Sequence, residues 1–279
     1  MSTERDTTED IEIRLLLEAL FRRYHYDFRD YAMASIKRRL TQARAELQCP
    51  SFSALQDRLL REPAILPRLL DFLTVQVSEL FRDPGYFRAI RQKVVPHLRT
   101  YPSLKVWIAG CSAGEELYSF VILFREEGLE ERTLFYATDI NHEALRRAEA
   151  GIYGVDRLRL FTENHRKSGG RTSLSDYYTA AYGHATFDKS LRKRVVFSDH
   201  SLATDAVFSE MQMISCRNVL IYFDRKLQNR AVGLFRDSLA RKGFLGLGAK
   251  ETLRFTDHAS DFDEFCAEER VYQKRGGLA

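Results

Sequence analysis

The chain has 279 residues, 44% of them apolar, a length and composition that suit one large domain or two modest ones with a sizeable core. Charged residues at 29% and the absence of low-complexity runs exclude a disordered chain, and a net charge of +4 does not by itself imply nucleic-acid or membrane binding. Cys49, Cys111, Cys216 and Cys266 form no CxxC or pairing pattern, residues 1–10 are polar and acidic unlike a signal peptide, and no apolar run approaches a bilayer span, so a cytoplasmic protein without disulfides, structural metal or membrane insertion is expected.

The first third reads as helix. Ile13, Leu16, Leu17, Leu20 and Tyr24 recur with a period near 3.6 over residues 11–24. A second helix over 30–47 carries Ile36, Leu40, Ala43 and Leu47 on one stripe. Pro50 breaks the pattern, Ser51 or Ser53 can cap a third helix, and Pro63 restarts a fourth toward Thr74. The second helix is basic through Lys37, Arg38, Arg39 and Arg44, with Arg22, Arg23 and Arg29 before it. That basic run is either a solvated face or a docking surface for an acidic partner.

From residue 104 short strand-like runs alternate with amphipathic helices. Strands are expected at 105–109, 134–138, 194–197, 211–215 and 244–247. Helices are expected at 115–127, 142–150 and 226–240, the last ended by Gly243. Such alternation means a parallel sheet with helices on both faces. Residues 152–193 interrupt it, and are either a floppy insertion or an ordered excursion that contacts substrate.

The strongest local signal is KVWIAGCSAGEE at 105–116, a buried strand, a small-residue turn and a helix start. Gly and Ala let the backbone approach a ligand closely. A dinucleotide would place phosphate at this helix N-terminus, but Glu115 and Glu116 would repel it, and the spacing departs from GxGxxG. The corner suits a ligand with an ammonium or sulfonium group. The next strand ends in Asp139, where Rossmann-type domains grip ribose hydroxyls; Asp139 can equally cap the following helix. An adenosine with a cationic tail, such as S-adenosylmethionine (AdoMet), satisfies both features.

Four blocks then carry a family resemblance along nearly the whole chain: LTVQVSELFRDPGYF (73–87), AGCSAGEELYS (109–119), ATDI (137–140) with GIY (151–153), and CRNVLIYFD (216–224). The chain resembles the CheR-type chemotaxis protein-glutamate O-methyltransferases. The resemblance implies a small all-α domain at 1–75, which docks substrate. It also implies a Rossmann-like AdoMet-dependent methyltransferase domain at 76–279, with an insertion at about 152–193. It places Arg82 and Tyr222 at the catalytic centre. It assigns AdoMet contact to Gln76, Ser78, Arg82, Glu115, Glu116, Asp139, Ser201, Leu202, Arg217 and Asn218. Gln76, Ser78 and Ser201 stand where Asn, Thr and Asn are usual, and Leu80 and Leu117 replace Phe and Pro as packing changes.

The implied activity is methyl transfer from AdoMet to glutamate carboxylates on the helical cytoplasmic segment of a chemoreceptor-like protein, by a monomer, in sensory adaptation. A glutamate with pKa about 4.3 is already ionised at neutral pH, so neither a general base nor a metal is required. Two other readings stay open: a non-catalytic AdoMet sensor or scaffold, and a methyltransferase of another substrate.

Overall fold

A computed structural model describes residues 7–76 and 78–276; the expectation for residues 1–6 falls outside them. Thr7 caps α1 (Thr8–Tyr24) through a reciprocal capping box with Asp10. α2 (Met33–Glu46), α3 (Phe52–Arg61) and α4 (Ile65–Leu73) follow, with Ser51 accepting from the Ala54 amide to start α3. Their apolar stripes close on a cluster that includes Ile13, Leu17, Ile36, Leu40, Phe52 and Leu69. Leu80 and Leu117 are both fully buried, as packing residues should be.

The charge of the basic second helix is mostly paired at the surface. Lys37 pairs with Asp10 at 2.8 Å and Arg44 with Glu9 at 3.3 Å, so the acidic first turn of α1 neutralises it. Arg39 is 5% exposed and belongs to no docking face. Arg38 remains exposed.

A short α5 (Pro84–Ala89) runs through a π turn (Ile90–Val94) into α6 (Val95–Leu98), a helical connection that the sequence patterns did not mark. The alternating part follows as β1 (Leu104–Ala109), α7 (Glu115–Glu126), β2 (Thr133–Asp139) and α8 (His142–Ala150). An excursion holds β3 (Ile152–Gly154), α9 (Leu158–Lys167), β4 (Tyr178–Ala181) and β5 (His184–Phe187). The chain then returns through β6 (Val195–Asp199), β7 (Met211–Cys216), α10 (Arg225–Ser238), β8 (Leu239–Leu247), β9 (Phe262–Cys266) and β10 (Val271–Lys274).

The main sheet has the order β6-β2-β1-β7-β8-β10-β9. β6 to β8 form the expected parallel sheet, and β10 pairs antiparallel with β8 and β9 at its edge, which makes the whole sheet mixed. From β1 the chain winds outward to β2 and β6, then crosses to β7 on the other side. The strand order therefore reverses beside β1, and a crevice opens at the carboxyl ends of β1 and β7.

Two expectations need correction or resolution. Gly243 does not end α10: the helix stops at Ser238, and Leu239 and Ala240 already belong to β8, where Leu239 pairs with Met211. The stop is tertiary, because Lys274 of β10 donates to the Arg236 and Leu239 carbonyls at 2.6 Å each, satisfying helix-end acceptors. Residues 152–193 are ordered. β3, β5 and β4 form a small antiparallel sheet, and Tyr153, Phe161 and Phe187 pack into the same core as Tyr118 and Phe120 of α7. A buried ionic network fastens the excursion further. Burial works to raise the Glu126 carboxyl, but His165 and Arg91 outweigh it and hold it at about 2; Arg91 also reaches Glu127. Among the described residues no helix is long and apolar enough to cross a membrane.

Candidate active site

A cavity lined by residues of both domains, among them Arg39, Arg82, Glu116, Asp139 and Tyr222, opens over the crevice between β1 and β7. Its floor is the turn after β1. The amides of Gly110 and Cys111 both donate to the Thr138 carbonyl at 2.8 Å, folding the turn across the end of β2. Gly110 has φ +73, and a Cβ there would lie 2.6 Å from a Val219 methyl, so glycine keeps this wall open. Ser112, also left-handed, donates its amide to Asp139 Oδ2 at 2.9 Å.

Asp139 lines the cavity and caps nothing: Asn141 caps α8 by accepting from the amides of Glu143 and Ala144. Asp139 Oδ1 instead accepts from the Asn141 amide at 3.0 Å. Burial pushes its carboxyl up from the ordinary aspartate value, against the lowering effect of the Asn141, Ser112 and Ile140 amides.

Adjacent carboxylates part at the start of α7, since successive helical residues point about 100° apart. Glu116 lines the cavity and accepts from Ser215 Oγ at 2.6 Å and from Arg217 at 3.3 Å. Glu115 does not: its side chain is fully buried on the far side, 2.8 Å from Arg157. The two-carboxylate corner therefore supplies one carboxylate to the cavity.

The opposite wall is assembled from distant segments. Arg217 lines it with a buried side chain bonded to Asp83 at 2.7 Å, the Arg82 carbonyl at 3.0 Å and Glu116, its guanidinium lying 4.2 Å from the Tyr86 ring centroid. These bonds fix the backbone of Arg82 between Phe81 and Asp83, both at positive φ, a conformation rare for an aromatic residue. The Arg82 side chain also lines the cavity and has no hydrogen-bond or carboxylate partner among the described residues. Asn218, at φ 60, and Tyr222 complete the wall. The loop that carries them is pinned by the buried Glu251 carboxylate, which accepts from the amides of Gly248 at 2.6 Å, Asn218 at 3.0 Å and Ile221 at 3.3 Å. Tyr222 is tied to the helical region as well: its carbonyl accepts from the Ala32 amide at 2.9 Å, beside a β-bridge between Tyr31 and Phe223.

The cavity thus gathers Ser78, Arg82, Glu116, Asp139, Leu202, Arg217, Asn218 and Tyr222. Gln76 is a strut beside it, donating to Thr74 Oγ1 at 2.9 Å and accepting from Ser112 Oγ at 3.2 Å. Ser201 faces a neighbouring cleft, where its amide donates to Asp205 and its hydroxyl accepts from Ala203. Sequence reasoning missed Arg39 as a cavity residue. Arg39 donates to the Leu73 carbonyl at 2.5 Å and lies 4.3 Å from the Tyr222 ring centroid. Its spacing held the clue: Arg39 falls three after Ile36, one before Leu40 and four before Ala43, on the buried stripe of α2. Tyr31 and His200 also line the cavity without having been marked.

The lining mixes three guanidinium groups with two carboxylates. Such a set suits a zwitterion joined to a nucleoside, with Asp139 on the ribose side, and it lacks the nest of amides and lysines that a pyrophosphate needs. The residues therefore fit AdoMet.

Comparison with known proteins agrees. Residues 76–269 match the family described as CheR methyltransferase, SAM binding domain, and residues 11–74 the CheR methyltransferase, all-alpha domain. The fold and site define an AdoMet-dependent methyltransferase. The chain belongs to the CheR methyltransferase family. It is 56% identical over 98% of its length to a Pseudomonas putida protein carried under the provisional name methyltransferase Cher3, which it spans completely. It is 29% identical to the chemotaxis protein methyltransferase of Listeria innocua, over 80% of this chain and 83% of that one. A similar likeness, 29% over 79% of each chain, holds for chemotaxis protein methyltransferase 2 of Pseudomonas aeruginosa.

Proposed function

We propose that this enzyme esterifies glutamate side chains on a helical segment of a chemoreceptor-like protein. The observation that carries the reading is Arg82, a guanidinium that lines the cofactor cavity beside Tyr222 without a carboxylate partner among the described residues. Arg217 and Arg39 are already engaged, so Arg82 is the cavity cation best placed to orient an incoming carboxylate.

When bound, AdoMet supplies an electrophilic methyl group on a sulfonium. The protein's part is positional, because a glutamate is already ionised at neutral pH and needs no base. Asp139 and Ser78 hold the nucleoside side, while Glu116 and Arg217 face the charged groups of the methionyl tail. Arg82 aligns the carboxylate; it must do so without gripping tightly, since the ester product is neutral and strong ground-state binding would slow the step. Tyr222, held under the Arg39 guanidinium, flanks the transfer path.

Residues 1–75 serve as the docking unit in this proposal, and 76–279 as the methyltransferase domain. With Lys37 and Arg44 paired to α1 and Arg22 to Glu18, docking falls to the exposed Arg38 and Arg23 rather than to the whole basic helix. The substitutions at Gln76 and Ser201 lend little support to a non-catalytic sensor, because neither side chain lines the cavity.

The test is incubation with methyl-labelled AdoMet and receptor-containing membranes, followed by mild alkali. Alkali-labile methanol from a receptor-sized band is expected, and none with Arg82→Ala. Label that resists alkali, or no label while AdoMet still binds, would overturn the glutamate assignment.

A further inference from the structure

The excursion between α8 and β6 touches the cofactor cavity from behind. Arg157 donates one Nη to Glu115 at 2.8 Å and the other to the Ser78 carbonyl. Asn164 of α9 donates to the Leu80 carbonyl at 3.1 Å, and Tyr153 donates its hydroxyl to the Ala113 carbonyl at 2.8 Å. The His165 ring packs 4.9 Å from that of Phe81. Each group contacted is a cavity residue or stands within two positions of one: Ser78 itself, Leu80 and Phe81 before Arg82, Ala113 after Ser112, Glu115 before Glu116.

We propose that Arg157 and Asn164 are positioning residues for AdoMet: through them the excursion sets the backbone of residues 78–82 and the start of α7 from the outer side of the cavity.

The segment needs such a backing. It is irregular between α4 and α5, and holds Phe81 and Asp83 at positive φ, so it has no helix or sheet ladder to fix it. Its carbonyls find donors instead on Arg157 and Asn164, and the Phe81 amide donates to Ser119 Oγ at 2.7 Å. The fork of Arg157 bridges two segments that are far apart in sequence, and a lysine's single ammonium cannot copy both arms. Arg157 is also the ion-pair partner of a fully buried carboxylate, Glu115, whose Oε2 has no donor of its own among the described residues. A purely structural role would therefore consist of neutralising Glu115, and the two roles separate by mutation.

The proposal rests on AdoMet occupying this cavity, and the readout is AdoHcy affinity by calorimetry, which needs no methyl acceptor. Wild type should bind AdoHcy; no binding would sink the cavity assignment itself and the brace with it. Arg157→Lys should keep the wild-type Tm yet bind AdoHcy at least threefold more weakly. Arg157→Met should bind at least tenfold more weakly and melt lower. Adding Glu115→Gln to Arg157→Met should recover Tm without recovering affinity. Asn164→Ala, which leaves Glu115 paired, should weaken AdoHcy binding severalfold. Wild-type affinity in Arg157→Lys and Asn164→Ala, or affinity restored together with Tm by Glu115→Gln, would overturn the proposal and leave Arg157 a counter-ion.

Discussion

The two walls of the cavity are built in opposite ways. The wall below Asp139 is local: a five-residue turn, two amides on the Thr138 carbonyl and one on Asp139, all between Gly110 and Asp139. The wall of Arg82 and Tyr222 is assembled across the chain, with Arg217 reaching Asp83 from 134 positions away and α2 sending Arg39 over Tyr222. Left-handed non-glycine residues concentrate on that side, at Phe81, Asp83 and Asn218, against Ser112 alone on the first wall. Bonds close in sequence fix the first wall and bonds distant in sequence the second. Substitutions in the first should therefore act on cofactor binding, and in the second on the rate of transfer.

The largest effect is expected on the second wall. Arg82→Ala should lower kcat about 100-fold at saturating AdoMet, a loss of ~2.7 kcal/mol of transition-state stabilisation. AdoHcy affinity should change less than kcat. An unchanged kcat would break the contrast at its main support.

On the first wall, Asp139→Asn should weaken AdoHcy binding roughly 10-fold, ~1.5 kcal/mol for a lost charge-assisted hydrogen bond, with kcat at saturation nearly retained. Because burial raises the Asp139 carboxyl, the wild type should lose affinity on acidification beginning above the ordinary aspartate range, as protonation removes the acceptor. The Asn variant should lack that step. Calorimetry across the acid range checks both, and parallel curves for the two proteins would remove Asp139 from the ribose side.

What was legible in the sequence follows the same division. The turn at 110–114, Asp139 and the start of α7 were readable because their geometry is local. Even so, the sequence could not say that Glu115 turns outward, since its partner Arg157 lies 42 positions away in the excursion. β9 and β10 carried no strong periodic signal, and the end of α10 depended on Lys274 rather than on Gly243. Arg82 and Tyr222 could be marked only through resemblance, as neither sits in a locally distinctive pattern. Arg39 was read as surface charge because its positive sign outweighed its place on an apolar stripe.

Arg39 sharpens the comparison at a middle scale. Its Nη2 is buried without a hydrogen-bond partner and its Nη1 holds the Leu73 carbonyl, so a methionine of similar length should cost the fold little more than that one bond. The cation over Tyr222 would be lost, about 1–2 kcal/mol for a desolvated pair. Arg39→Met should therefore lower kcat about 10-fold while Tm and AdoHcy affinity stay near wild type. A drop in affinity with kcat intact would place Arg39 on the binding side and blur the division between the walls.

The smallest effect separates the two parts of Tyr222. Its ring lies under Arg39, its carbonyl is held by Ala32, and its loop is pinned by Glu251, while its hydroxyl also interacts with the Arg39 guanidinium. If the ring face is what flanks the transfer path, Tyr222→Phe should keep kcat within about threefold, under ~0.7 kcal/mol. Tyr222→Ala should lose far more, because Arg39 would then face an empty space. A Phe variant as slow as Arg82→Ala would move the function to the hydroxyl, and the rate-setting wall would then act by hydrogen bonding at two points rather than by one guanidinium and one ring.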